Sequence, residues 1–87
     1  MSKPFRISIL SADKRIFEGE IVALTAPAAG GYVGIWADHC PLLALLVPGN
    51  LTFREPAGTL HRVTVAGEGL LEVRENVATV LLHENFA

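Results

Sequence analysis

The stretch that decides the fold is Gly30–Asn50, which reads GGYVGIWADHCPLLALLVPGN. Asp38 is its only charged residue, and the segment from 41 to 48 is apolar throughout. Successive side chains of a β-strand point to opposite faces, so a strand here would need cover on both faces. We expect the core of the domain to cover one face and a partner to cover the other.

Turn-forming residues recur along the rest of the chain at short intervals. The segments between them are rich in Val, Ile, Thr and Phe, and no window carries a sustained helical stripe of apolar residues. This pattern is typical of an all-β sandwich or barrel. The predicted strands are 5–9, 14–19, 21–26, 32–36, 41–47, 51–54, 60–66, 70–73 and 77–82, with Ile16 and one or both of its neighbours pointing inward in the second.

Three of the turns carry a specific prediction. Residues 55–58, with proline early and glycine late, should form a four-residue hairpin loop between two strands. Glu75 and Asn76 should join the last two strands. Gly30 and Gly31 should supply a positive φ in a tight loop.

Length and composition bound the possible functions. The 87 residues predict one domain spanning 1–87, and charged residues are only 18% of the chain, below the usual share of roughly 25%. A net charge of −2 gives no electrostatic case for nucleic acid. No apolar run is long enough to span a membrane or to form a signal peptide. Cys40 is the only cysteine, which excludes an intrachain disulfide and favours an intracellular location.

No catalytic, cofactor-binding or metal-binding residues are predicted. His39 and Cys40 could form an activated thiol, but neighbours on an extended strand point apart, so a buried filler role for Cys40 is the simpler interpretation. The histidines lack metal-ligand spacing. The Glu18 and Glu20 pair fits a solvated strand edge, and Trp36 fits packing as well as ligand stacking.

Taken in order, the motifs resemble a known family. They are SADKRIFEGE at 11–20, GGYVGI at 30–35, HCPLL at 39–43, PGNL at 48–51, GEGLLEV at 67–73 and VATVLL at 77–82. Each motif is weak alone, but the ordered set is similar to the N-terminal β-sandwich domain of the epsilon subunit of F-type ATP synthases (the delta subunit of mitochondria).

The resemblance implies a flattened all-β sandwich of about ten mostly antiparallel strands. It also implies a non-catalytic central-stalk subunit, without cofactor, that couples rotation of the c-ring to the gamma subunit at the cytoplasmic face of the bacterial inner membrane. By the same resemblance, the gamma interface would include Ser11, His39, Leu42 and Ala44. The c-ring interface would include Ala29, Gly30, Gly31 and Tyr32.

The chain departs from the family pattern in three places. The loop at 30–32 lacks the acidic residues that the family usually carries, so we expect either a differently polarised ring contact or a divergent partner ring. A glutamate interrupts the glycine pair of the family at Gly67-Glu68-Gly69. The sequence stops at Ala87, without the C-terminal helical hairpin of typical bacterial members, so the regulatory roles of that hairpin are not assigned.

Two other functions stay open at this point. The chain could be a stand-alone β-sandwich that binds a ligand between Trp36 and Tyr32. It could also be a thiol enzyme centred on Cys40 and His39. Binding to a gamma subunit separates both from the coupling role.

Overall fold

The computed structural model describes residues 3–83. This part of the chain is built from strands alone, and it holds no helix long and apolar enough to cross a membrane. The strands are β1 (Phe5–Ser11), β2 (Lys14–Ile21), β3 (Ala23–Ala28), β4 (Gly31–Ile35), β5 (Leu42–Leu46), β6 (Gly49–Arg54), β7 (Leu60–Val65), β8 (Gly69–Arg74) and β9 (Val77–Leu82). The predicted all-β class is confirmed, and the outer positions 1, 2 and 84–87 of the predicted domain lie outside the described residues.

The strands form one curled sheet in the order β2-β1-β9-β8-β5-β3-β6-β7, and β4 pairs with the remaining edge of β3. Only β1 and β9 run parallel; the other paired strands are antiparallel. The sheet folds back on itself, since Phe17 of β2 contacts Phe53 of β6 at a ring-centroid distance of 4.7 Å. The result is the predicted sandwich, with nine strands in residues 3–83.

Alternation of side chains fills the space between the two halves with one apolar core. Strand β1 is the clearest case, because Phe5, Ile7 and Ile9 are buried while Arg6 between them is exposed. The other strands alternate in the same way, and nearly every strand contributes apolar side chains to the core. The core is Phe5, Ile7, Ile9, Ile21, Leu24, Ala26, Ile35, Leu46, Leu51, Phe53, Val65, Leu71, Val73, Ala78 and Val80.

The prediction that Ile16 points inward is wrong, whereas its neighbour Phe17 packs against the core. Ile9 pairs with Phe17, and the register shifts at the next step, so Leu10 pairs with Arg15. Residues directly opposite each other share a face. Pairing with the inward Ile9 therefore directs Phe17 to the core and leaves Ile16, at 39% exposure, on the outside.

The predicted single strand over 21–26 is also divided. Strand β2 ends at Ile21, Val22 bends, and β3 begins at Ala23. The Val22 amide donates to the carbonyl oxygen of Arg54 at 2.8 Å, which fastens the bend to the end of β6. The expectation of a buried run is met only at Ile21, Leu24 and Ala26, because Thr25 alternates to the outer face and is exposed.

The three predicted turns occur at the expected places, but the loop between β6 and β7 has five residues, 55–59, instead of four, and of the glycine pair it is Gly31 that has the positive φ. Glu75 and Asn76 have φ values of 49° and 61°, the positive φ pair that a two-residue type I′ hairpin requires. In the loop over 55–58, the Gly58 amide donates to the Glu55 carbonyl oxygen at 2.8 Å. Gly31 has φ 129°, a conformation that L side chains rarely adopt.

Two adjacent leucines test whether one face of β5 is in the core and the other is exposed. Leu46 is 1% exposed, whereas Leu45 is 66% exposed. We expect Leu46→Ala to lower the free energy of unfolding by about 2–5 kcal/mol, because it leaves a cavity in the core. The matched Leu45→Ala change should cost less than about 1 kcal/mol. Urea unfolding of both variants measures the difference, and equal losses would contradict the described face assignment.

Candidate functional site

An apolar row crosses the outer surface of the half-sandwich formed by β5, β8, β9 and β1. Strand register places Leu45 opposite Leu70, Leu70 opposite Leu81, and Leu81 opposite Leu10. Leu43 lies two residues from Leu45 on the same face of β5. We call these five side chains, Leu10, Leu43, Leu45, Leu70 and Leu81, the outer leucine face.

The outer leucine face is open to solvent. Leu43 and Leu45 are 67% and 66% exposed, and Leu81 is 45% exposed. Leu10 and Leu70 are half-buried between their neighbours. Single exposed leucines are ordinary, but a contiguous apolar patch of this kind marks an interaction site.

Polar residues border the outer leucine face on one side. In the next register row Leu43 is opposite Glu72, Glu72 is opposite Thr79, and Thr79 and Ser8 are partners across β9 and β1. An apolar centre with a polar rim is the usual composition of protein–protein interfaces. The surface therefore offers contact area to another macromolecule.

The predicted gamma-interface residues lie on or near this half of the sandwich, but they do not coincide with the outer leucine face. Leu42 and Ala44 belong to the inner face of β5, half-buried, and Leu42 packs against the core. Ser11 lies at the end of β1, where its Oγ is 3.4 Å from the Lys14 carbonyl oxygen. His39 lies in the loop before β5. Their roles at an interface stay predictions.

Sequence reasoning found the exposed face of β5 but missed its continuation over Leu10, Leu70 and Leu81. One signal was present: Leu10 continues the outward series Arg6 and Ser8, and Leu81 continues the outward series of β9. The register that aligns these leucines could not be predicted, because β1 pairs in parallel with β9, which is distant in sequence.

A polar cluster closes the end of the sandwich beside β5. The Asp38 amide donates to Asn76 Oδ1 at 2.6 Å, and Asn76 Nδ2 donates to Asp38 Oδ1 at 3.0 Å. Lys3 Nζ donates to the same carboxylate at 3.1 Å. The bond from Asn76, then the bond and charge of Lys3, hold the pKa of Asp38 below its ordinary value.

His39 and Cys40 are not arranged as an activated thiol–imidazole pair. The contact that the His39 imidazole makes is between its Nδ1 and the carbonyl oxygen of Cys40, at 2.7 Å. Cys40 is exposed, which corrects the expectation of a buried filler. Cys40 lies in the loop before β5, which begins at Leu42, so its side chain does not reach the core.

Tyr32 and Trp36 both lie on the opposite half of the sandwich and are mostly exposed. The Tyr32 hydroxyl accepts a bond from the Asn50 amide at 3.3 Å. The Trp36 indole covers Gly34 so closely that a Cβ there would lie 2.9 Å from the ring. Each aromatic ring thus contacts a neighbouring residue of the same half of the sandwich.

The predicted ring-facing loop forms the turn between β3 and β4. Ala29, Gly30 and Gly31 are exposed, and the Ala29 amide donates to the Leu45 carbonyl oxygen at 3.0 Å. No group of three or more potential metal ligands occurs within residues 3–83. The His61 imidazole pairs with the Glu55 carboxylate, and His61 also stacks on Phe53 with ring centroids 4.9 Å apart.

A family model described as "ATP synthase, Delta/Epsilon chain, beta-sandwich domain" matches residues 4–85. The chain belongs to this family. Curated relatives named "ATP synthase epsilon chain" include proteins of Dichelobacter nodosus and Nitrosococcus oceani. The first is 38% identical over 84 residues, or 97% of this chain and 58% of the relative. The second is 42% identical over 81 residues, or 93% of this chain and 57% of the relative. The chain thus spans a little over half the length of these epsilon chains.

Solved structures agree on the fold of the delta/epsilon β-sandwich. A chain of the Euglena gracilis mitochondrial ATP synthase, OSCP/F1/c-ring, superposes with TM-score 0.81 and 20% identity, covering 87% of this chain and 48% of that one. A chain of the Tetrahymena thermophila mitochondrial ATP synthase, central stalk/c-ring, superposes with TM-score 0.75 and 18% identity, covering 98% of this chain and 67% of that one. At these identities the likeness shows the fold alone.

The lowered pKa of Asp38 predicts a pH dependence. A carboxyl group whose pKa is lower in the folded state stabilises that state above its ordinary pKa of 3.8, and loses this contribution as pH falls through the folded value. Asp38→Asn, which tolerates the φ of 64°, removes the titration. In urea unfolding, the advantage of the unsubstituted protein over this variant should shrink below pH 3.8. An advantage that stays constant with pH would contradict the assignment.

Proposed function

We propose that this chain is a non-catalytic central-stalk subunit of a rotary ATP synthase, docked on the gamma subunit through the outer leucine face. The single observation that carries the proposal is a solvent-exposed leucine row on a domain of the delta/epsilon family. The names of the relatives and the central-stalk title of a structural neighbour support it. The subunit would sit peripherally at the cytoplasmic face of a bacterial inner membrane and pass rotation from the c-ring to gamma.

The energetics of docking favour an apolar contact. Leu43 and Leu45 each expose about two-thirds of their surface. Covering one such side chain is worth roughly 1–2 kcal/mol, from the 1.5–3 kcal/mol of full burial. Five leucines together can offset a good part of the roughly 4–15 kcal/mol that association costs in lost freedom. The polar rim then supplies orientation.

Charge placed on the outer leucine face should abolish docking without unfolding the domain. Leu43→Asp and Leu45→Asp each leave a carboxylate in water in the free protein, but bury it without a partner in the complex. Co-expression with the gamma subunit of the same genome, followed by size-exclusion chromatography, should show one-to-one co-elution of the unsubstituted chain and loss of co-elution in both variants.

Leu60→Asp is the matched control. Leu60 is 52% exposed on β7, in the half of the sandwich that lacks the outer leucine face. This variant should co-elute with gamma as the unsubstituted chain does. The docking assignment is wrong if all three variants still bind gamma, or if only Leu60→Asp fails to bind.

We further propose that the turn of Ala29, Gly30, Gly31 and Tyr32 faces the c-ring. It connects β3 and β4 at the end of the sandwich opposite the 55–58 loop, because β3 and β6 run antiparallel. An exposed turn with small residues allows close approach to the loops of a ring. Its contact with the ring would rest on backbone groups and the Tyr32 ring, since no acidic residue lies in it.

Cross-linking tests the proposed ring contact. In a Cys40→Ser background, Gly30→Cys should cross-link to the c-ring in the assembled enzyme, because a Cβ at Gly30 meets open space and needs no positive φ. Ala57→Cys at the opposite end is the control and should not cross-link. Ring products from Ala57→Cys alone would reverse the proposed orientation.

A further inference from the structure

Backbone strain is concentrated at one end of the sandwich. Within residues 3–83, the non-glycine residues with positive φ are Asp38 at 64°, Glu75 at 49° and Asn76 at 61°. Asp38 lies in the loop between β4 and β5, and the other two form the turn between β8 and β9. The hairpin itself requires these values at Glu75 and Asn76, whereas Asp38 lies in a longer loop, where surrounding contacts must hold the conformation.

The contact that joins the two strained segments is reciprocal. The Asp38 amide donates to the side chain of Asn76 at 2.6 Å, and that side chain donates back to the Asp38 carboxylate at 3.0 Å. The second bond is charge-assisted, which makes it stronger than a bond between neutral groups. Glu75 has the same positive φ in the same turn, but of these two residues it is Asn76 whose side chain bonds Asp38, alongside Lys3.

The two segments that this pair joins lie beside a groove on the surface of the sheet. The groove has a volume of about 470 Å³, lies over the paired ends of β5 and β8, and is lined by residues 41–43 and 72–75. Leu43 is a member of the outer leucine face, and Glu72 belongs to its polar rim. Backbone pairing with β8 fixes Leu42 and Leu43, so what the contact with the turn can position is the 38–41 loop, which brings Pro41 to the groove.

We propose that the reciprocal Asp38–Asn76 pair is a positioning device, which holds the 38–41 loop in place at the end of the groove that the gamma subunit meets. Asp38 and Asn76 then act through Pro41 and its neighbours in the loop instead of through direct contact alone. The role in gamma binding rests on the proposed function. The effect on loop mobility does not, and can be measured on the isolated chain.

The test uses two glycine variants of the same turn. Asn76→Gly keeps the positive φ and removes the side chain that bonds Asp38, whereas Glu75→Gly relieves the same strain and leaves the pair intact. Cys40, the only cysteine, is exposed in the loop and accepts a nitroxide label. The electron paramagnetic resonance line shape then reports the mobility of the loop at the labelled position.

We expect a more mobile spectrum for Asn76→Gly and an unchanged spectrum for Glu75→Gly. Unlabelled Asn76→Gly should also bind gamma about fivefold to tenfold more weakly, since losing the pair lets the loop leave its bound position. The double change Asp38→Asn/Asn76→Asp restores both an amide and a carboxylate to the pair, and should recover both readouts.

Each result decides a separate point. Equal spectra for the two glycine variants would overturn the proposal. A mobile loop with unchanged gamma affinity, measured well below the melting temperature, would limit the pair to a stabilising role and also overturn it. If the unsubstituted chain fails to bind gamma, the proposed function fails, while the two spectra still decide whether the pair holds the loop.

Discussion

The rest of the structure depends on β5, whose two faces are both apolar. Its inner face adds Leu46 to the core, and its outer face adds Leu43 and Leu45 to the surface. The same strand joins the two halves of the sandwich, since it pairs with β8 along its length and with β3 at Ala28. A one-residue slip of β5 would exchange its inner and outer faces, so its register with β8 decides which leucines face the core.

Two kinds of surface follow from this constraint. The outer leucine face provides contact area but little chemistry, whereas the Asp38, Asn76 and Lys3 cluster at its end provides hydrogen bonds and geometry. The apolar part suits affinity and the polar part suits orientation. This division fits the proposed docking, in which the partner must be held in one position.

Much of the fold could be predicted from local pattern. Alternation predicted the inward face of β1, and turn chemistry predicted the Glu75-Asn76 hairpin. The errors at Ile16 and Val22 arose where a register shift and a corner override alternation, and both depend on neighbours distant in sequence. For the site, the exposed face of β5 was predictable, but its alignment with three further leucines and the Asp38–Asn76 pair required the strand order.

The most direct test of the central claim is a methyl NMR titration of the leucine-labelled domain with the gamma subunit. The docking claim predicts shifted or broadened methyl signals at Leu10, Leu43, Leu45, Leu70 and Leu81, with the Leu60 signal unchanged. Perturbation confined to Leu60 and its half of the sandwich would contradict it, and so would a titration that leaves every leucine signal in place.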